Sequence, residues 1–431
     1  MTVTNTSSAR SGSNDAERGL VEVLRRRVAR QLSERGRDVT GGDYEQLVWQ
    51  LVDEALNEHA RQVLSAGDRP LEPAMERRIA AAVRNHFAGL GGLQEYLDNP
   101  RVTQININGD EVFVSEVDGS KRRVPPVASS TDELVELIRM IAARSGSEER
   151  RFDRGVPRLN LQLPDGSRVF AAMAVSKVPV VSIRRHPLTR ASLPDLVGYR
   201  MLDAGTAALL AALVKARKNV VISGGTYTGK TTLLRAMARE IPAHERLITI
   251  EDTFELGLRD EVEHPDCVEL QVREPNIENS GAIYQDELVR WALRMSPDRV
   301  IVGEVRGAEV ISLCQAMSQG NDGSLGTVHA SSSQQALTRL MTYAVQVLPF
   351  EATAMLIAGA IEFVVHLAWS DRTRVVSSVR QVLHAEGRDV ISNEILRPGR
   401  DKRAVTAAPL RSDTLDELVA TGFRPDMLAG W

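Results

Sequence analysis

The chain has 431 residues, 43% hydrophobic and 26% charged, a globular composition too long for one ordinary core, so two or three domains are expected. A formal net charge of −4 offers no overall basic attraction for nucleic acid. Two cysteines, Cys267 and Cys314, exclude a four-cysteine zinc module and a disulfide framework, and read as buried thiols of a reducing cytosol.

Residues 1–15 are rich in Ser, Thr and Asn and read as a disordered tail without the apolar core of a signal peptide. A helical segment follows over 16–92. Leu20, Leu24, Val28 and Leu32 mark its first helix, and Met75, Ile79, Val83 and Phe87 its third. Between them Tyr44, Leu47, Val48, Leu51, Val52, Ala55 and Leu56 fall on one helical face. The run Arg25–Arg27 reads as a solvated face. From 93 to 186 the pattern is that of a small mixed α/β domain. Ile105 and Ile107, then Val112 and Val114, alternate as strands, and Asp118-Gly119 has tight-turn chemistry. Ser130 and Glu133 predict a capping box for a helix carrying Leu134, Leu137, Ile138 and Ile141. Leu159, Leu161 and Leu163 lead into a turn, and strands begin near Val169 and Val178.

Two prolines and a glycine make 187–200 read as a linker. Alternating helix and strand over 201–397 then predicts a mostly parallel α/β sheet. Residues 398–431 read as an irregular tail with a short helix at Thr414–Ala420. The most apolar stretch, 354–369, contains Glu362 and His366 and is too short to span a bilayer. It reads as a buried helix running into a buried strand, so membrane contact is expected to be peripheral or through a partner.

The strongest motif is Gly224-Gly225-Thr226-Tyr227-Thr228-Gly229-Lys230-Thr231, which matches G-x-x-x-x-G-K-[ST]. An apolar strand, 219–222, precedes it, and a helix follows that contains Thr232. Backbone N–H groups of such a loop cradle phosphates at a helix N-terminus. Lys230 would bridge the β- and γ-phosphates and the Thr231 hydroxyl would ligate Mg²⁺, so ATP and Mg²⁺ are the expected cofactors. Hydrolysis also needs a carboxylate at a neighbouring strand end. Glu251 follows the strand 247–250, Glu304 follows 300–302, and His329 ends a third strand. In a parallel sheet these ends share one edge with Lys230. Taken singly, Glu251 could be a capping carboxylate, Glu304 a salt-bridge partner of Arg306, and His329 a structural histidine. No two histidines have metal-ligand spacing, so no metal site made by protein alone is expected.

Together GGTYTGKTTLLRAM, LITIEDTFEL, RMSPDRVIVGEVRGAE and MSQGNDGSLGTVHA resemble the boxes of the type II/type IV secretion ATPase superfamily, most closely its CpaF-like, tight-adherence branch. Upstream, LDNPRVTQININGDEVFVSEVDG and LPDGSRVFAAMAVSKVPVVSIRRHP are similar to that family's N-terminal sensory-like domain, and the match runs in order over about 93–395. The resemblance implies a RecA-like P-loop NTPase domain preceded by a smaller mixed α/β domain and an N-terminal helical segment. It implies a cytoplasmic hexamer with ATP held between the two domains of each subunit. It implies that hydrolysis drives a pilus or secretion machine through inner-membrane platform proteins, without nucleic acid. By motif, Glu304 would polarise water, Glu251 would be the second acidic residue near Mg²⁺, and His329 a γ-phosphate or intersubunit sensor. Arg168, Arg184 and Arg185 look like the family's phosphate-reaching arginines. The missing cysteine quartet disfavours the type II branch with its zinc module. One position departs from the pattern: Tyr227 stands where the family has glycine, which is costly if the loop needs positive φ there. A nucleic-acid-driven motor on the same core, or a nucleotide-binding scaffold with weak hydrolysis, are the competing readings.

Overall fold

The computed structural model describes residues 7–35, 42–87, 89–144, 151–163, 165–185, 191–259, 262–273, 275 and 280–428. The chain divides into two compact units, 1–185 and 186–431.

The first unit opens with three helices, α1 (Ser7–Arg35), α2 (Gly42–Ser65) and α3 (Pro73–Phe87). Leu24, Val28, Val48, Leu51, Ile79 and Val83 form their shared core, the residues the helical spacing picks out. Helix α1 begins inside the stretch expected to be disordered; residues 1–6 lie outside the described residues. A one-turn helix, α4 (Gln94–Leu97), leads into β1 (Val102–Asn108), β2 (Glu111–Glu116) and β3 (Lys121–Val124). Then come α5 (Thr131–Arg144), β4 (Arg158–Gln162), β5 (Arg168–Ala172) and β6 (Val180–Arg184). The six strands pair antiparallel in the order β3-β2-β1-β6-β5-β4. Ile105, Ile107, Val112 and Val114 point to the side covered by Leu134, Ile138 and Ile141 of α5. The arginine run is not purely solvated, because Arg25 reaches Glu133 of α5 at 3.4 Å.

In the second unit, the segment expected to be a linker contains a short helix. Residues 186–190 lie outside the described residues, but α6 (Leu193–Gly198) follows and buries Leu193 and Leu196 in the core. Ser192 and Asp195 form a reciprocal capping box, and Pro194 sits in the first turn. Proline is tolerated there because the N–H it lacks would have no helical partner. The same residue read in isolation as a breaker is therefore a helix starter.

The unit continues with α7 (Ala204–Lys215), β7 (Val220–Gly224), α8 (Lys230–Ala238), β8 (Leu247–Glu251) and β9 (Cys267–Gln271). Next are α9 (Gln285–Ala292), β10 (Arg299–Val305), α10 (Glu309–Ser318), β11 (Leu325–His329), α11 (Ser333–Ala344) and α12 (Phe350–Ala360). The last elements are β12 (Phe363–Ser370), β13 (Thr373–Glu386), β14 (Asp389–Pro398), β15 (Ala404–Thr406) and α13 (Ser412–Ala420). Nine strands make one sheet in the order β15-β14-β13-β12-β7-β11-β10-β8-β9. The six from β12 to β9 are parallel, and β7 and β8 are buried at every position, as a sheet covered on both faces requires. One strand, β11, separates the P-loop strand β7 from the Glu304 strand β10, the order of a RecA-like core.

The sheet is mostly parallel, as expected, and β13, β14 and β15 extend it as an antiparallel meander. One expectation needs correction here. The stretch after 398 is not irregular: β15 joins the sheet, and Leu418, Phe423 and Leu428 are buried in the unit's core. Short elements with few apolar residues leave little periodicity to read. Among the described residues no helix is long and apolar enough to cross a membrane. Cys267 and Cys314 are buried, which pushes both thiols up to about 12 and leaves them unreactive.

Candidate nucleotide site

The parallel strands bring four of the sequence-selected residues to one sheet edge. β7 ends at Gly224, paired on one side with His329 of β11 and on the other with Leu367 of β12. A Cβ at Gly224 would lie 2.5 Å from the Thr228 hydroxyl and 2.9 Å from the Leu367 carbonyl, so the loop turns back at a point only glycine can occupy. The Thr228 hydroxyl closes the turn on the Gly225 carbonyl at 2.9 Å. Helix α8 then starts at Lys230, which places the first-turn N–H groups of Lys230, Thr231 and Thr232 at the loop.

Lys230 is 8% exposed, and its ammonium donates to the Gly224 and Gly225 carbonyls at 3.3 and 3.0 Å. It also lies 3.3 Å from His329 Nδ1. His329 Nε2 is in turn 2.6 Å from Glu304 Oε1. Arg306 grips the other Glu304 oxygen and also contacts Asp252. A continuous chain of polar contacts thus runs Lys230–His329–Glu304–Arg306–Asp252 along the edge.

Glu304 does not follow its strand but lies within it. The β10–β11 register slips between Val302 and Val305, one extra residue against β11. Such a bulge bends the strand and re-aims a side chain. Gly303 makes room, since a Cβ there would lie 3.1 Å from Glu251 Cγ. The salt bridge to Arg306 that the sequence allows for Glu304 is present.

Glu251 is almost fully buried, and one carboxylate oxygen accepts the N–H groups of Glu255 and Leu256 at 2.8 and 3.0 Å. Burial raises its pKa to about 8 against those hydrogen bonds, helped by the charges of Glu255 and Glu269. Its second oxygen is buried without a hydrogen-bond partner. Thr231 Oγ1 lies 3.3 Å from Glu255 Oε2. A hydroxyl beside carboxylates, next to a glycine cradle and a lysine, is a hard-oxygen set that fits Mg²⁺ bound with a nucleotide's phosphates. When bound, the ion would neutralise developing charge on those phosphates. The chain's own parts would hold them through loop N–H groups and Lys230 and present Glu304 to a water.

A family model described as type II/IV secretion system protein matches residues 108–404. The chain belongs to that family. A Mycobacterium tuberculosis protein named for conjugal transfer is 33% identical over 320 residues, covering 71% of this chain and 88% of its own length. The type IV secretion system protein PtlH of Bordetella pertussis is 38% identical over 157 residues, 35% of this chain and 45% of its own. Among solved structures, the VirB11 ATPase of the Brucella suis type IV secretion system is 26% identical, covers 69% of this chain and 94% of its own, and has a TM-score of 0.36. The ATPase DotB of Legionella pneumophila is 25% identical over 66% of this chain and 78% of its own, with a TM-score of 0.47.

Arg168, Arg184 and Arg185 belong to the first unit. Arg168 and Arg184 are paired across β5 and β6. Arg185 Nη1 donates to the Asn99 and Val102 carbonyls at 2.5 and 3.1 Å, which gives it a structural duty within its own unit. Three residues at the edge escaped the sequence reading. Glu255 lies inside the LITIEDTFEL box, but only the fold shows it beside Thr231. His366 of β12 faces Ser223 with Nδ1 3.0 Å from the hydroxyl, and its one sequence signal was a polar residue in an apolar run. Arg374 donates from Nε to the Tyr227 carbonyl at 2.8 Å, and no motif announces it.

Proposed function

We propose that this chain is a Mg²⁺-dependent ATPase of a hexameric motor, acting at the inner face of the cytoplasmic membrane on a pilus or secretion machine of the CpaF-like, tight-adherence kind. The observation that supports it most is the meeting of Lys230, Thr231, Glu251, Glu304 and His329 at the carboxyl edge of one parallel sheet. In this reading the loop and Lys230 hold the phosphates and Thr231 holds Mg²⁺ with Glu251 nearby. Glu304 orients and polarises the attacking water, and His329 senses the γ-phosphate from between Lys230 and Glu304. Arg168 and Arg184 are the candidates for a phosphate-contacting arginine. The pilus branch rests on the order and wording of the sequence boxes; the relatives named above belong to conjugation and type IV secretion.

The test is ATP hydrolysis by the purified chain across a protein concentration series, with Lys230→Ala and Glu304→Gln alongside. Activity per molecule should rise with concentration as rings form. Both variants should fall by roughly 10²-fold or more, since each removes a group acting on the reacting phosphate. Hydrolysis that persists in Glu304→Gln would remove that residue from catalysis. Nucleotide bound but never hydrolysed would favour the scaffold reading.

A further inference from the structure

We infer that Arg374, stacked on Trp369, is a positioning residue that clamps the phosphate loop of this chain in its binding shape, and that it does so because Tyr227 occupies a glycine conformation. The inference rests on reading that loop as a nucleotide site. Tyr227 has φ +61, the left-handed region in which a side chain is disfavoured, and the residue is 42% exposed. A loop with tyrosine there has less intrinsic reason to keep this shape than one with glycine.

The neighbouring hairpin supplies what the loop lacks. β12 runs parallel to β7 and pairs Leu367 with Gly224, so its last residues continue beside the phosphate loop after β7 has ended. β13 returns antiparallel with Trp369 opposite Arg374. Directly opposed residues share one face, and the Arg374 guanidinium lies 4.9 Å from the centre of the Trp369 ring. From that shelf its Nε donates to the Tyr227 carbonyl at 2.8 Å. Its methylene stem backs the other side of the loop, where a Cβ on Gly229 would come 3.4 Å from Arg374 Cδ. The loop is therefore held at the strained residue and again at the start of α8. A planar, always-charged group stacked on indole suits this role better than a flexible ammonium.

The experiment is a double-mutant cycle on the full chain, reading the dissociation constant of a fluorescent ATP analogue with Mg²⁺. In the natural background Arg374→Ala should weaken binding about tenfold, and Arg374→Lys should recover only part of that. In a Tyr227→Gly background, where the loop adopts positive φ freely, Arg374→Ala should cost about twofold or less. Trp369→Ala should follow Arg374→Ala in both backgrounds, in smaller measure. In steady state the loss should appear in KM more than in kcat, because the clamp shapes the loop before chemistry begins. Equal weakening in both backgrounds, or none in either, overturns the clamp while leaving the nucleotide site intact. No analogue bound by the natural chain overturns the site itself, and the clamp with it.

Discussion

His366 shows how much a single buried side chain can set. It is 6% exposed on β12, beside Ser223 at the root of the phosphate loop. Burial, with the nearby Lys230 charge, lowers its pKa from 6.5 to about 4. The unfolded chain therefore binds a proton between pH 6.5 and 4 that the folded chain refuses. Stability contributed by the neutral imidazole is complete above 6.5 and is lost as pH falls toward 4. A shift of that size corresponds to roughly 3 kcal/mol. Urea unfolding at pH 7.5 and pH 4.5 should show His366→Asn losing about 2 to 3 kcal/mol less than the natural chain over that interval. An identical pH slope would mean that His366 titrates alike in both states. The apolar run around His366 announces its burial, but not its partner, which is set by the β7–β12 register and not by local spacing.

Among elements, what was legible depended on whether the signal was local. Strand-end chemistry around Gly224, Glu251 and His329 could be read because a buried parallel strand is a short apolar run and its end is visible. The β10 bulge could not, because it arises from how β10 meets β11. The α6 helix was missed because Pro194 looks the same as a breaker and as a first-turn residue until Ser192 and Asp195 are seen to cap it. The fixed point beneath the sheet's opposite edge was also invisible. Arg299, wholly buried at the start of β10, makes two bonds to Glu245 at 2.7 and 2.8 Å and a third to the Val214 carbonyl at the end of α7. Burial works to raise the Glu245 pKa, but the hydrogen bond and charge of Arg299, with the charge of Arg217, bring it below its ordinary value. Glu245→Ala would leave a guanidinium buried without its carboxylate and should cost about 3 to 5 kcal/mol in urea unfolding at pH 7. Arg299→Met combined with Glu245→Leu should cost much less, because the destabilising event is the orphaned charge rather than the loss of the pair. If the double variant were as unstable as the single, packing and not charge would be what the pair supplies.

At the scale of the molecule, the second unit's α/β core follows from periodicity, but the extent of that unit does not. The segment after Pro398 has a charged start and isolated apolar residues, and its contribution appears only once it is folded back. β15 pairs with β14, the Thr406 hydroxyl donates to the Leu428 carbonyl at 2.7 Å, and the Met427 carbonyl packs on Gly205 of α7 so closely that no Cβ could be added there. Leu418, Phe423 and Leu428 enter the same core as Leu209, Leu213 and the underside of α8. Burying three side chains of this size stabilises by roughly 5 kcal/mol or more, comparable to the whole margin of a folded domain. A chain cut after Pro398 should therefore lose most of its soluble yield and melt well below the full chain. The milder Leu418→Ala should lower stability by about 2 to 5 kcal/mol. Because the phosphate loop springs from β7 and α8, which rest on that core, nucleotide binding by the truncated chain should weaken together with its melting temperature. Unchanged melting after truncation would show that the segment only docks on a core already complete without it, and the second unit would then end with β14.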